Sequence, residues 1–205
     1  MLSRRAPGFT IIELMIGIAL LGVLMVLAMP SFIQMLHNTK LRAGAEAISS
    51  GLQIARSEAL RRNQPVEFLL TDEEPIADNV GGPNVTATGP HWMVRINAGA
   101  GAFTFVEGRS GFEGSNQADG TQVQIAAVVP SSPAAVTAGT VTFNPLGRAE
   151  LTADATFDVS NPTGGACKTA GGDEPMRCLR VVVTAGGRVR MCDPSVTDAN
   201  DTRAC

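Results

Sequence analysis

The first 29 residues constrain everything that follows in this chain. An apolar run from Phe9 to Met29 holds 21 residues, of which Glu13 alone is ionisable. As a helix rising 1.5 Å per residue, it would reach roughly 31 Å, about the thickness of a bilayer's hydrocarbon core. Arg4 and Arg5 precede the run and favour keeping that end cytoplasmic. A secretory signal peptide fits poorly, because its apolar core is only about 7–15 residues long and its small residues follow that core. Here the small residue, Gly8, stands in front. A plain single-span anchor accounts for the length and the arginines but not for Glu13, whose carboxylate costs about 3 kcal/mol in lipid. A cut between Gly8 and Phe9 would supply a partner. The new ammonium at Phe9 would lie one helical turn from Glu13, on its own subunit or on a neighbour.

Gly8-Phe9-Thr10-Ile11-Ile12-Glu13-Leu14, with Pro30 closing the apolar run, resembles the N-terminus of type IV pilins and type II secretion pseudopilins. The resemblance implies that residues 1–8 are a leader removed by prepilin peptidase and that Phe9 becomes an N-methylated first residue. It also implies that Glu13 and Pro30 serve assembly, Glu13 by guiding a new subunit into the filament. Residues 9–64 are then one helix, transmembrane over 9–29 and amphipathic over 30–64.

Within the second half of that helix, Leu41, Ala45, Ile48, Leu52, Ala55 and Ala59 recur at spacings of 4, 3, 4, 3 and 4. Lys40, Arg42, Glu46, Gln53, Arg56, Arg61 and Arg62 take mostly the other faces. A stripe this narrow and alanine-rich demands a close partner, and a β-sheet suits it better than a coiled coil. Glu58 and Arg62 can pair at i,i+4, and Asn63-Gln64-Pro65 stops the helix. The segment Leu52–Val66 resembles the helix end and first strand of the GspH/FimT family of minor pilins and pseudopilins, the FimU-like group. Phe143-Asn144-Pro145-Leu146-Gly147-Arg148 resembles that family's mid-domain signature.

After Pro65 the period becomes two. Val66–Leu70, His91–Asn97, Phe103–Val106, Gln122–Val129, Thr140–Phe143, Ala155–Ser160, Cys178–Thr184 and Arg188–Cys192 read as short strands, rich in β-branched and aromatic residues. Turn residues separate them, including Gly111–Gly120 and the tight hairpin at Ala185-Gly186-Gly187. The expected fold is α+β and pilin-like, a long N-terminal helix on an antiparallel β domain spanning 65–205.

Cys167, Cys178, Cys192 and Cys205 all fall in the last 39 residues without a Cys-x-x-Cys pair, and His37 and His91 lie far from them in sequence. Disulfides outside the cytoplasm fit better than zinc. Four cysteines allow three connectivities; Cys167–Cys178 with Cys192–Cys205 is preferred because each closes a short local loop.

The sequence offers no catalytic constellation, cofactor motif or metal cluster. Asp72-Glu73-Glu74 and Asp78 lack the spaced ligands and central glycine of a calcium loop, and His91 reads as an ordinary strand histidine. Residues 65–205 carry nine basic and sixteen acidic side chains, a net of −7, which excludes a general polyanion binder. Against that background Arg177, Arg180, Arg188 and Arg190 form a local basic stretch. Gly187-Arg188-Val189-Arg190 resembles the Gly-Arg-x-Arg motif of FimT members that bind DNA. Two guanidinium groups two residues apart on a strand, about 7 Å, would match neighbouring phosphates. A solvated face, or one pairing with acids of a neighbouring pilin, has the same pattern.

The expected function is a non-enzymatic minor type IV pilin acting in pilus initiation or at the tip. Its expected partners are other pilins, prepilin peptidase and the inner-membrane assembly platform, with double-stranded DNA a further partner through the arginines. The expected location is a single pass of the inner membrane with the β domain periplasmic, then the filament. The alternative is an H-type pseudopilin of a type II secretion system.

Overall fold

The computed structural model describes residues 10–110, 123–129 and 139–205. The expected leader, the Gly8–Phe9 junction and the turn stretch Gly111–Gly120 lie outside the described residues. The chain divides into two compact units, one ending at Leu36 and one running from His37 to Cys205.

One helix, α1 (Ile11–Arg62), runs through both units. It continues through Pro30, whose missing N–H removes one bond from the ladder without ending it. It stops at Arg62 rather than at residue 64, because Asn63 takes a left-handed conformation, φ +55°, that asparagine tolerates at a helix end. Glu58 receives both Arg61 and Arg62, each at 2.6 Å. These two guanidinium groups hold the carboxyl down at about 2.

Eight strands follow: β1 (Val66–Thr71), β2 (His91–Asn97), β3 (Phe103–Arg109), β4 (Gln124–Val128), β5 (Thr140–Phe143), β6 (Ala155–Ser160), β7 (Leu179–Val183) and β8 (Val189–Cys192). They make two four-stranded sheets, ordered β3-β2-β1-β5 and β4-β6-β7-β8, with every pairing antiparallel. The last strand begins one residue later than its sequence pattern suggested. Arg188 therefore belongs to the hairpin turn and not to β8.

From residue 41 onward, α1 supplies the spine of the core. Leu41, Ala45, Ile48, Leu52, Ala55 and Ala59 are all fully buried, against Val66, Phe68, Val94 and Phe143 of the first sheet and Phe157, Val159, Val181 and Val183 of the second. Phe68 stacks on Trp92 at 5.7 Å between ring centroids and meets Phe157 edge-on at 5.6 Å, tying the sheets together beneath the helix. Gly51 makes the close approach possible, since a Cβ there would lie 2.8 Å from both Phe68 and Trp92 ring atoms. Gly51→Val is expected to cost about 2 kcal/mol through overpacking, read by urea unfolding with the single tryptophan, Trp92, as probe. A loss below about 0.5 kcal/mol would show that the helix seats elsewhere.

The outer face of the first sheet is also covered, so all six residues of β1 are buried. The loop between β1 and β2 lies over it. Arg95 on β2 pairs with Glu67 on β1 at 2.7 Å, donates to the Val80 carbonyl and stands 3.7 Å from the Phe103 ring centroid. Asn97 completes the Glu67 carboxylate at 2.8 Å. The same loop reaches the second sheet, where the Ala127 N–H donates to the Ala87 carbonyl. His91 lies under this cover, and burial pushes its imidazole below the ordinary value.

Candidate functional site

At the start of α1, Thr10 and Glu13 bond reciprocally. The Thr10 N–H and hydroxyl donate to Glu13 Oε2 at 2.9 and 3.0 Å, and the Glu13 N–H donates to Thr10 Oγ1 at 3.3 Å. This is a capping box, Thr-x-x-Glu, satisfying two of the helix's orphan donors. Both recorded contacts use one carboxylate oxygen, Oε2. Thr10 is a partner that reasoning from charge alone missed, although threonine three residues before glutamate ahead of an apolar run is a recognisable signal. Beyond it, Ile11, Leu14, Ile18, Leu21, Met25 and Met29 are all exposed, in a helix long and apolar enough to cross a membrane, with a mean hydropathy of 2.7 over its most apolar window. Among the described residues nothing in this unit covers them.

In the second unit, the four arginines of the basic stretch meet different fates. Arg180 is held by Asp158 on the neighbouring strand, at 2.6 and 3.0 Å, and this bidentate pair raises the guanidinium's pKa. Arg190 donates to the main-chain oxygens of Ala204 and Cys205, at 3.0 and 2.5 Å. The expected free pair of Arg188 and Arg190 is therefore not present, because the C-terminal segment occupies one of them. That segment is fastened by the Cys192–Cys205 disulfide and by the Asp193–Ala204 bridge. It is stiffened further by Arg203, which grips Asp201 at 2.6 Å and holds that carboxyl at about 2. The second disulfide, Cys167–Cys178, closes the loop before β7. Arg177 is exposed and lines a cleft of about 460 Å³ with Asn38, Arg42 and Arg203; its own N–H is anchored by Asn38 at 2.9 Å. Arg188 is exposed on the β7–β8 turn.

What positions Arg188 is a contact between two glycines. Gly187, φ +79°, presses on the Gly147 carbonyl, where a Cβ would come within 2.0 Å of that oxygen. Gly147 belongs to the Asn144–Arg148 turn, in which Asn144 Oδ1 accepts from the N–H groups of Leu146 and Arg148. From α1, Arg56 donates to the same Gly147 carbonyl at 3.1 Å. The α1 segment carrying Arg56, the turn carrying Arg148 and the turn carrying Arg188 thus meet at the Gly147 carbonyl, three segments whose separation in sequence gives no spacing signal. Among the described residues no three His, Cys, Asp or Glu side chains gather as a metal site.

A family model described as type II transport protein GspH matches residues 44–187, a span that takes in the core face of α1 from Ala45 onward and the turn around Gly147, and ends at Gly187. The chain belongs to the GspH family. GspH-family proteins of the pilin and pseudopilin kind are structural subunits, not enzymes. A model described as the prokaryotic N-terminal methylation motif matches residues 3–29, which include Thr10 and Glu13. The type IV narrow pilus major component PilA5 of Thermus thermophilus is 31% identical over 114 residues, covering 51% of this chain and 90% of the relative. Among solved structures, the type IV minor pilin FimU of Pseudomonas aeruginosa is 17% identical with a TM-score of 0.46, covering 75% of this GspH-family chain and 88% of its own. The minor pseudopilin EpsH of Vibrio cholerae is 12% identical with a TM-score of 0.45, covering 77% and 99%.

Proposed function

We infer that this chain is a minor subunit of a type IV pilus, anchored by α1 in the inner membrane before assembly and in the filament after it. In this reading prepilin peptidase cuts after Gly8, Phe9 becomes the methylated first residue, and the β domain faces the periplasm. Other pilins and the inner-membrane assembly platform are its partners. The observation that carries the pilus branch over the secretion branch is the 31% identity to a type IV pilus component. The Thr10–Glu13 box supports the assembly role of Glu13, because it fixes the carboxylate at the helix start with Oε2 engaged. Oε1 is the atom assigned to an incoming ammonium. Glu13→Ala in the native host is expected to reduce surface pili at least about tenfold, since it removes the only carboxylate of the apolar run that could meet that ammonium. Cleavage should still expose Phe9. Wild-type piliation with impaired exoprotein secretion would move the chain to the H-type pseudopilin reading.

A second reading, double-stranded DNA as ligand, is favoured by the exposure of Arg188 on its turn. Arg180 and Arg190 contribute less, being engaged within the fold, and Arg177 lies apart at its cleft. Arg188→Ala is expected to weaken duplex binding and lower the salt slope by about one. An unchanged slope in that variant would remove this role.

A further inference from the structure

The cleft of about 460 Å³ in the unit spanning residues 37–205 has the size of a small-ligand site, and the assembly role leaves it unused. Asn38 and Arg42, one helical turn apart, line it from α1; Leu179 of β7 and Met191 of β8 line it from the second sheet; Arg203 lines it from the C-terminal segment. The Asn38 amide fastens the segment before β7 to the helix at two points. It donates to the Pro175 carbonyl at 3.3 Å and accepts the Arg177 N–H at 2.9 Å, which fixes Arg177 at the cleft. Three arginines therefore line one space. Arg203 is paired with Asp201, and Arg42 with Glu46 through Nε alone, at 2.8 Å. Arg177 engages only its main-chain N–H among the described residues, so its guanidinium is left to solvent. The one acid of the lining, Asp193, has Oδ1 occupied by the N–H and hydroxyl of Ser195.

Chain connectivity limits what this cleft can meet. The exposed apolar side chains of α1 continue past Met29 through Phe32, Ile33 and Met35 to Leu36, which is 47% exposed. From Ile11 to Leu36, 26 residues, the helix is about 39 Å long, close to the roughly 40–45 Å of a bilayer with its headgroup layers. Asn38 follows Leu36 by two residues, so their Cα atoms lie within about 8 Å of each other. Between Glu13 and Glu46 the helix carries no acid, while Lys40 and Arg42 come directly after the apolar surface ends.

We propose that this cleft holds the headgroup phosphodiester of an anionic phospholipid of the periplasmic leaflet while the chain is still anchored, with Arg177 donating to the phosphate. This deepens the membrane-anchored reading and rests on it, since that reading puts the end of the apolar surface at headgroup level. The Arg177 fork can donate to two phosphate oxygens at once. Arg42, with both terminal nitrogens unengaged among the described residues, supplies further donors. Leu179 and Met191 give the glycerol and the first methylenes an apolar lining. A duplex backbone would use the arginines in the same way and leave that lining in water, which favours the lipid. Extraction of the subunit from the bilayer must then break this contact.

The test gives the full chain, in detergent micelles, equal amounts of phosphatidylglycerol and phosphatidylcholine and reads bound lipid by native mass spectrometry. One lipid is expected to stay bound, phosphatidylglycerol at least about fivefold over phosphatidylcholine, the preference that one arginine confers at an anionic lipid surface. A benzoylphenylalanine photocrosslinker at Thr202, exposed on the cleft, should form an adduct with that lipid. Arg177→Gln should abolish the preference, whereas Arg61→Gln, the same loss of charge outside the lining, should keep it. Unchanged Trp92 fluorescence checks that the variants fold. Equal retention of the two lipids, no lipid adduct at Thr202, a preference that survives Arg177→Gln, or one lost equally with Arg61→Gln would each overturn the proposal. So would displacement of the lipid by inorganic phosphate, the mark of a free-anion site, or by a short DNA duplex at physiological salt. Its failure would leave the piliation phenotype of Glu13→Ala untouched, so the two readings fail separately.

Discussion

Phe68→Ala is expected to lower stability by about 4 kcal/mol, among the largest losses any single truncation here would cause. Phe68 is fully buried and is the ring that touches both sheets and the helix at once: Trp92 beside it, Phe157 edge-on, and Gly51 of α1 above. Its removal leaves a cavity that α1 cannot fill, because the core stripe at that level consists of Gly51, Leu52 and Ala55 with no long side chain free to swing in. Urea unfolding in detergent, followed by Trp92 emission, measures the effect directly. Trp92 should also shift to the red in the folded variant, since its stacking partner is gone. A loss under about 1 kcal/mol would mean that the two sheets are joined by something other than this aromatic cluster.

Breaking the Cys192–Cys205 bond with paired serines is the second large effect, about 3 kcal/mol by the chain-entropy estimate for a closed loop of this size. The consequence is local as well as global. The bond holds the C-terminal segment against β8, where Ala204 and Cys205 accept from Arg190. Without it, Arg190 should be released to solvent and Arg203 should become an early trypsin site. The serine pair should therefore gain affinity for duplex DNA if free arginine on this strand is what limits binding. Intact protein with four free thiols by mass spectrometry would refute the premise.

Much of this fold is legible in the residues because it rests on period and burial. The six-residue stripe of α1 and the alternation of β6 point at the core they fill, and three strands, β2, β5 and β6, have the bounds their patterns suggest. What stays hidden has a common cause. Arg56 and Arg190 end on main-chain carbonyls of Gly147, Ala204 and Cys205, and every residue carries such an acceptor, so no side-chain pattern marks those chosen. Arg180 does meet an acid, but Asp158 becomes its partner only through the β6–β7 register. The cover over β1 is equally silent, since the loop after Thr71 has no periodicity to show that it lies on a sheet. The two glycines at 147 and 187 look like ordinary turn residues until the backbones are seen to touch.

The capping box bears on the timing of maturation. Both its members, Thr10 and Glu13, lie downstream of the proposed cut between Gly8 and Phe9. Such a cut would take away neither partner, so the hydrogen bonds that close the first helical turn do not depend on the residues it removes.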